Sequence, residues 1–276
     1  MTRRRNSAPA SAADLLGTLQ QLTARARQEV ELHQARVELA EALQRTMLPG
    51  ELPSVPGLQT AARYQPTHHG LDIGGDWYDG FELPDGALGF VIGDVQGHDV
   101  EAAAVMGQIR IAMRAIAGST PDPGEIMRRT NDLMLSVTAP LFATCTFLRV
   151  DPVTRELHSA RAGHVASVWA TVDGRSGIAE SPGGLPLGIM GGETYPVTRR
   201  TLDVPGAVVL LTDGLVEGPS LDIDEGLEGI RRLVSAHVDA SAEELAQTVL
   251  GAADMTGHED DVAFLVLRHG EGGTAG

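Results

Sequence analysis

Between Pro49 and Gly57 the chain changes its hydrophobic period, and the change dictates two kinds of structure on either side. From Asp14 to Met47 there is no proline and a single glycine, Gly17. Leu15, Leu19, Leu22, Ala26 and Val30 recur at three- and four-residue spacing, as do Leu32, Leu39 and Leu43. That spacing lines apolar side chains along one stripe of a helix. Glu29 and His33 fall near the stripe, so the heptads are imperfect. The helix either packs on its own domain or pairs with a second copy and relays a signal. Pro49, Gly50, Pro53, Pro56 and Gly57 then end it.

Beyond this break the pattern turns to short alternating or wholly apolar runs. Strands are expected at Leu58–Tyr64, Asp76–Leu83, Ala87–Val95, Phe142–Val150, Glu156–Ala162, Val165–Val172, Pro196–Val204, Ala207–Thr212 and Val262–Arg268. Helices are expected at Asp99–Ala117, Asp122–Val137, Leu227–His237 and Ser241–Ala253. Asp122, Pro123 and Glu125 form a good helix start, and Ser241 with Glu244 forms a capping box. Strands in hairpin-like groups with helices in separate blocks predict an α+β layer fold. The expected organisation is a disordered tail over 1–13, a helix over 14–49, a folded domain over 50–269 and a flexible tail over 270–276.

Charge narrows the function. The chain has 276 residues, 21 cations against 37 acids, and a formal net charge of −16. Every cation is arginine. P-loop NTPases, protein kinases and Schiff-base enzymes each need a lysine, so all three are excluded. The acidic balance argues against a nucleic-acid binder. No apolar run is long enough for a membrane span, and the basic start leads into no apolar core, so a cytoplasmic protein is expected. Cys145, alone in an apolar stretch, excludes an internal disulfide and a cysteine zinc cage and reads as a buried structural thiol.

Four acids share one placement, at the margins of apolar strands. Asp76 follows Gly74-Gly75, Asp94 ends Phe90-Val91-Ile92-Gly93, Asp213 ends Val208–Thr212, and Asp260-Asp261 open Val262–Val266. Taken singly, each has a structural reading, and Asp213-Gly214 is a common turn signal. Together they suggest more. No arginine lies beside any of the four in sequence, so converging strand ends would repel severely without a bound cation. Oxygen-only donors suit magnesium or manganese over zinc.

Gly74-Gly75-Asp76-Trp77-Tyr78-Asp79, Gly93-Asp94-Val95-Gln96-Gly97-His98, Leu211-Thr212-Asp213-Gly214 and Asp260-Asp261-Val262 resemble motifs of the SpoIIE/RsbU group of PPM-type serine/threonine phosphatases. Leu43–Pro49, Ala162-Gly163-His164 and Gly184-Leu185-Pro186-Leu187-Gly188 fit the same resemblance, which covers about residues 40–268 in the right order. It implies a four-layer α-β-β-α sandwich of two antiparallel sheets with a two-metal centre, manganese or magnesium, at one edge. Asp94 would bridge both cations. The Val95 carbonyl and Asp76 would serve one of them, and Asp213 and Asp260 the other. Asp260 takes that role over Asp261 because the first acid of the pair matches the motif. A metal-activated water would attack the phosphate of a phosphorylated anti-anti-sigma-type protein.

Three positions depart from the pattern: Asp99 replaces a glycine, Ala263 replaces a hydroxyl residue, and Gln96 stands where eukaryotic relatives place a histidine. The general acid is therefore open, with His98 the candidate. The competing reading is a non-catalytic module that keeps the fold to dock a signalling partner. The arginine that would meet phosphate is also open, with Arg63 and Arg161 both candidates. His68-His69 read as exposed loop residues, and His164 as a structural histidine at a turn. Asp222, Asp224 and Gly226 resemble the start of a calcium loop that lacks its later ligands.

Overall fold

The computed structural model describes residues 21–28, 30, 47–66, 74–97, 100–136, 141–179, 181–219, 221–256 and 260–270. The tails at 1–13 and 271–276, most of the 14–49 helix, His68-His69, His98 and Asp99 lie outside the described residues. Within that helix, residues 21–28 and Val30 are helical (α1) and exposed.

Ten strands follow: β1 Leu58–Gln65, β2 Trp77–Glu82, β3 Leu88–Val95, β4 Ala143–Asp151, β5 Glu156–Ala162, β6 Val168–Thr171, β7 Ser176–Ile178, β8 Thr198–Thr201, β9 Gly206–Leu211 and β10 Val262–His269. Four helices accompany them: α2 Val100–Ala117, α3 Pro123–Ser136, α4 Ile223–Ala236 and α5 Ala242–Thr256. The strands form two five-stranded sheets, in the orders β1-β10-β9-β6-β7 and β2-β3-β4-β5-β8. All strand pairings are antiparallel.

Side-chain parity builds four layers from these sheets. On the face between them Phe90, Ile92, Leu148, Leu210, Leu265 and Leu267 interlock. The other face of the second sheet packs Trp77, Val91 and Phe147 against Met106, Met113, Ile126 and Met127 of α2 and α3. The other face of the first sheet packs Val209, Phe264 and Val266 against Ile230, Val234, Leu245 and Val249 of α4 and α5. The expected α-β-β-α sandwich is therefore observed. Because the central strands are covered on both faces, β3 and β10 show unbroken apolar runs in place of alternation.

The helix starts follow their capping residues. The Asp122 carboxylate accepts from the Glu125 N–H at 2.8 Å. The Ser241 N–H donates to Glu244 Oε2 at 3.0 Å, while Ser241 Oγ accepts from the Glu244 N–H at 3.3 Å. Asp222 corrects the expected start of one helix. Its carboxylate accepts from the Asp224 N–H and caps α4, so this stretch is a helix start and not a calcium loop. The helix accordingly begins at Ile223, before the expected Leu227. The strands expected at 165–172 and 196–204 shrink to four residues each. β7, with Ser and Gly in three residues, has too little alternation to be read beforehand.

Cys145 is fully buried, its Sγ 3.3 Å from Met127 Sδ, and burial pushes its thiol far above the usual range. Among the described residues no helix is long and apolar enough to cross a membrane.

Candidate metal centre

The register of the hairpins brings the four acids to one end of the sandwich. Trp77 pairs with Gly93 in the antiparallel β2/β3 ladder, so one step further Asp76 faces Asp94. Leu211 pairs with Phe264 in the β9/β10 ladder, which sets the end of β9 beside the start of β10. There Asp213 opens a 3-10 turn over Asp213–Leu215, and Asp260 precedes β10. Thr212 ties the two sheets together. Its hydroxyl donates to Asp76 Oδ2 at 2.8 Å and accepts from the Ala263 N–H at 3.0 Å.

Electrostatics show how close this grouping is. Burial pushes the Asp76 carboxyl well above the usual range, and the charges of Asp94, Asp261 and Asp213 push it further. Burial, then Asp213, Asp260 and Asp261, push Asp94 up to about 8, with a hydrogen bond from Asp76 acting the other way. Burial and Asp260 raise Asp213. The charges acting most strongly on these three are all carboxylates, with no arginine among them. Among the described residues, no three His, Cys, Asp or Glu side chains close on one point as a finished cage. The acids meet around neighbouring strand ends, and like charges so placed repel unless a cation lies between them.

The donor set fits hard divalent ions, since every side-chain donor is a carboxylate oxygen. The backbone fits as well. A Cβ at Gly75 would lie 2.2 Å from the Val95 carbonyl oxygen and 2.9 Å from Asp94 Oδ1. Glycine there leaves an open cradle beside two of the oxygens expected to hold metal. Gly75→Ala is expected to shift both oxygens and lower metal-supported turnover by about 100-fold, the usual consequence of ångström-scale misplacement. Gly251→Ala, on the exposed side of α5 with open space around it, serves as the control. Equal initial rates for the two variants would remove the Val95 carbonyl and Asp94 from that role.

Asp260 and Asp261 separate by environment. Asp261 is 4% exposed, and Tyr64 donates to its Oδ2 at 2.8 Å. Asp260 is exposed and lines an open cleft with Asp213, Glu217 and Pro219. Tyr64 and Thr212 were not singled out by sequence reasoning. Tyr64 lies 197 residues from its partner Asp261 along the chain, and Thr212 is one polar residue ending an apolar run. Of the candidate arginines, Arg63 is engaged by Glu243 of α5. Arg161 lines a second cleft beside Asp213, but its two terminal nitrogens each donate at 2.7 Å to the carbonyls of His164 and Ser181. His164 is buried with its Nδ1 2.8 Å from Thr144 Oγ1, and burial holds its imidazole at about 3, a neutral structural group.

The other motif residues hold the ends of the second sheet. Leu187 exchanges both backbone hydrogen bonds with Ala143, and Gly184 bonds the backbone beside Ala162. Asp79, fully buried, faces Arg110 and Arg114 of α2 at 3.1 Å each.

This architecture and its carboxylate end define a phosphatase domain of the PP2C type, a hydrolase, and solved structures agree. The RsbU and RsbW domains of Rv1364c from Mycobacterium tuberculosis superpose with a TM-score of 0.75 at 30% identity, covering 83% of this chain and 64% of that one. The SiaA-PP2C domain of Pseudomonas aeruginosa gives 0.70 at 20% identity, covering 90% and 99%. Residues 84–270 match the family described as Stage II sporulation protein E (SpoIIE), and the chain belongs to that family. The phosphoserine phosphatase RsbU of Bacillus subtilis is 24% identical over 239 residues, 85% of this chain and 70% of that protein. Protein IcfG of Synechocystis is 26% identical over 275 residues, but the chain spans only 43% of its length.

Proposed function

We propose that the chain hydrolyses a phosphoserine or phosphothreonine ester of a regulatory protein, with two divalent cations, manganese or magnesium, held at the sheet ends. The observation that carries this reading is the meeting of Asp76, Asp94 and Asp213 as mutual electrostatic neighbours, with Asp260 acting on two of them. Asp94 would be shared by the two cations. Asp76 and the Val95 carbonyl would hold one, and Asp213 and Asp260 the other. Bound there, the cations lower the pKa of water and screen the charge of the phosphate. The protein's own residues prepare the place. The Thr212 hydroxyl fixes one oxygen of Asp76, and Tyr64 occupies Asp261, which leaves Asp260 to face Asp213. The cleft beside Asp213 and Asp260 opens to solvent and admits an ester on a protein surface. The general acid is unassigned, since His98 lies outside the described residues.

Similarity to RsbU, whose name specifies phosphoserine, and to a solved pair of RsbU and RsbW domains supports an anti-anti-sigma-type phosphoprotein as substrate. The test is phosphate release from a phosphoserine protein of that type, with manganese and after chelation. Turnover is expected with manganese and is abolished by excess EDTA. Absence of both turnover and manganese binding by calorimetry would leave the docking-module reading in its place.

The helix over 14–49 belongs to the same proposal as a pairing segment. Met47 and Leu48 at its end pack against the core beneath α2, so a change in that helix has a route into the domain. By light scattering, the full chain is expected to be a dimer and a chain starting at Gly50 a monomer. Equal masses would contradict this role.

A further inference from the structure

Away from the carboxylate end, residues of β5 and β8 from one sheet and of β6 and β9 from the other line a common gap. A cavity of about 350 Å³ lies in the gap, within the range of small-molecule sites. Its walls are Leu148, Leu157 and Leu202 on one side and Val208 with the ring of Trp169 on the other. Strand register explains the composition. Trp169 pairs with Val208, and Arg200 pairs with Leu157, so all four point into the space between the sheets. A Cβ at Gly177 would sit 3.1 Å from the Trp169 indole, so the neighbouring strand leaves room for this large ring.

Polar groups without partners gather in this apolar space. The Trp169 Nε1–H is buried and finds no acceptor among the described residues. An indole N–H is only a donor, and a buried donor without an acceptor is costly. Ser159 and Thr198, opposite each other in register, also line the cavity, and no hydrogen bond joins their hydroxyls to any described residue. At the mouth, the Arg200 guanidinium lies 5.5 Å over the Trp169 ring and pairs with no carboxylate among the described residues. Arg175 and Asp203 also lie at the rim. Arg175 is occupied by Asp173, and Asp203 is exposed to solvent. The cavity therefore combines an apolar body, donors within and an unpaired cation at its entrance.

We infer that this cavity is a binding site for a small apolar carboxylic acid, its hydrocarbon or aromatic part between the sheets and its carboxylate at Arg200. An anionic acceptor suits the guanidinium, and charge-assisted hydrogen bonds are the stronger kind. The site is distinct from the carboxylate end and does not depend on the phosphatase reading. β9 and β10 run from it, at Ala207 and His269, to the residues flanking Asp213 and Asp260.

Calorimetric titration of the full chain with naphthalene-2-carboxylate and its neutral carboxamide tests the inference. The carboxylate is expected to bind at least about tenfold more tightly, the scale of one charge-assisted hydrogen bond. Arg200→Gln should erase that preference while leaving the carboxamide unchanged. Trp169→Phe, which trims the apolar wall, should weaken both ligands severalfold. Ser159→Leu, which fills the cavity, should abolish both, with folding verified by circular dichroism. If that variant does not fold, Thr198→Leu at the edge strand carries the same reading. No binding of the carboxylate, full preference retained in Arg200→Gln, or undiminished binding in the filled variant would each overturn the site.

Discussion

Asp94→Asn is expected to lose at least about 1,000-fold in manganese-supported hydrolysis and, with metal removed, to melt at a higher temperature than the wild type. Both effects come from one feature. Asp94 lies at the last but one position of β3, opposite Asp76, and burial with the charges of Asp213, Asp260 and Asp261 pushes its carboxyl up to about 8. An acid raised in this way is less stable ionised in the fold than in the unfolded chain. Its unfavourable contribution is absent below the unfolded value, near pH 4, and grows as pH rises toward 8. Asparagine keeps the shape and removes the charge. At neutral pH the metal-free variant should therefore gain roughly 1–3 kcal/mol, discounted for the partial exposure of the site. With manganese the ranking reverses, because the wild type gains binding energy that the variant has lost. Thermal melting with EDTA and with manganese, beside initial rates on an aryl phosphate, separates the two effects. A variant within tenfold of wild-type activity would remove Asp94 from the centre. A variant no more stable than wild type in EDTA would show that the acids do not strain the fold.

The same physics decides how much could be read from the chain before its structure. β3 and β10 were legible because a strand covered on both faces needs an unbroken apolar run, and Phe90–Ile92 and Val262–Leu267 supply one. The helix starts were legible because Asp122 and Ser241 carry local signals that need no tertiary partner. β7 was not, since its three residues are held by pairing with β6 and by little in their own chemistry. The acids at strand ends were visible as a repeated placement, but their mutual distance depends on β2, β3, β9 and β10 meeting at one end. That meeting is a property of register and layer stacking. Tyr64 shows the limit, because its role against Asp261 arises only when β1 pairs with β10. Asp222 shows the converse, where a spacing like the start of a cation loop, but without its later ligands, serves the simpler need of capping a helix.

Asp79→Ala is expected to cost about 3 kcal/mol or more of stability, because it strands a cation in the interior. Asp79 sits inside the motif that also holds Asp76, yet it faces the helix layer and not the carboxylate end. It is fully buried, with Arg110 and Arg114, one helical turn apart on α2, each 3.1 Å from one of its oxygens. Arg114 also donates to the Gly80 carbonyl at 2.9 Å and stacks over Phe81 at 5.0 Å. Burial raises the Asp79 carboxyl, and the two arginines pull it back only in part. The trio is thus not a large net source of stability, since desolvation outweighs attraction at the acid. Removing one member is a different matter. The Arg114 side chain is 49% exposed and can swing into water, whereas Arg110 is 15% exposed and would be left without a counter-charge. Asp79→Asn keeps an acceptor for the Gly80 N–H, bonded at 2.9 Å, and should cost less than alanine. Replacing Asp79 by leucine together with Arg110→Met should recover most of the loss, because no buried charge then remains. Urea unfolding of the three variants orders them. Equal losses in the single and double variants would show that packing, and not an uncompensated charge, sets the penalty.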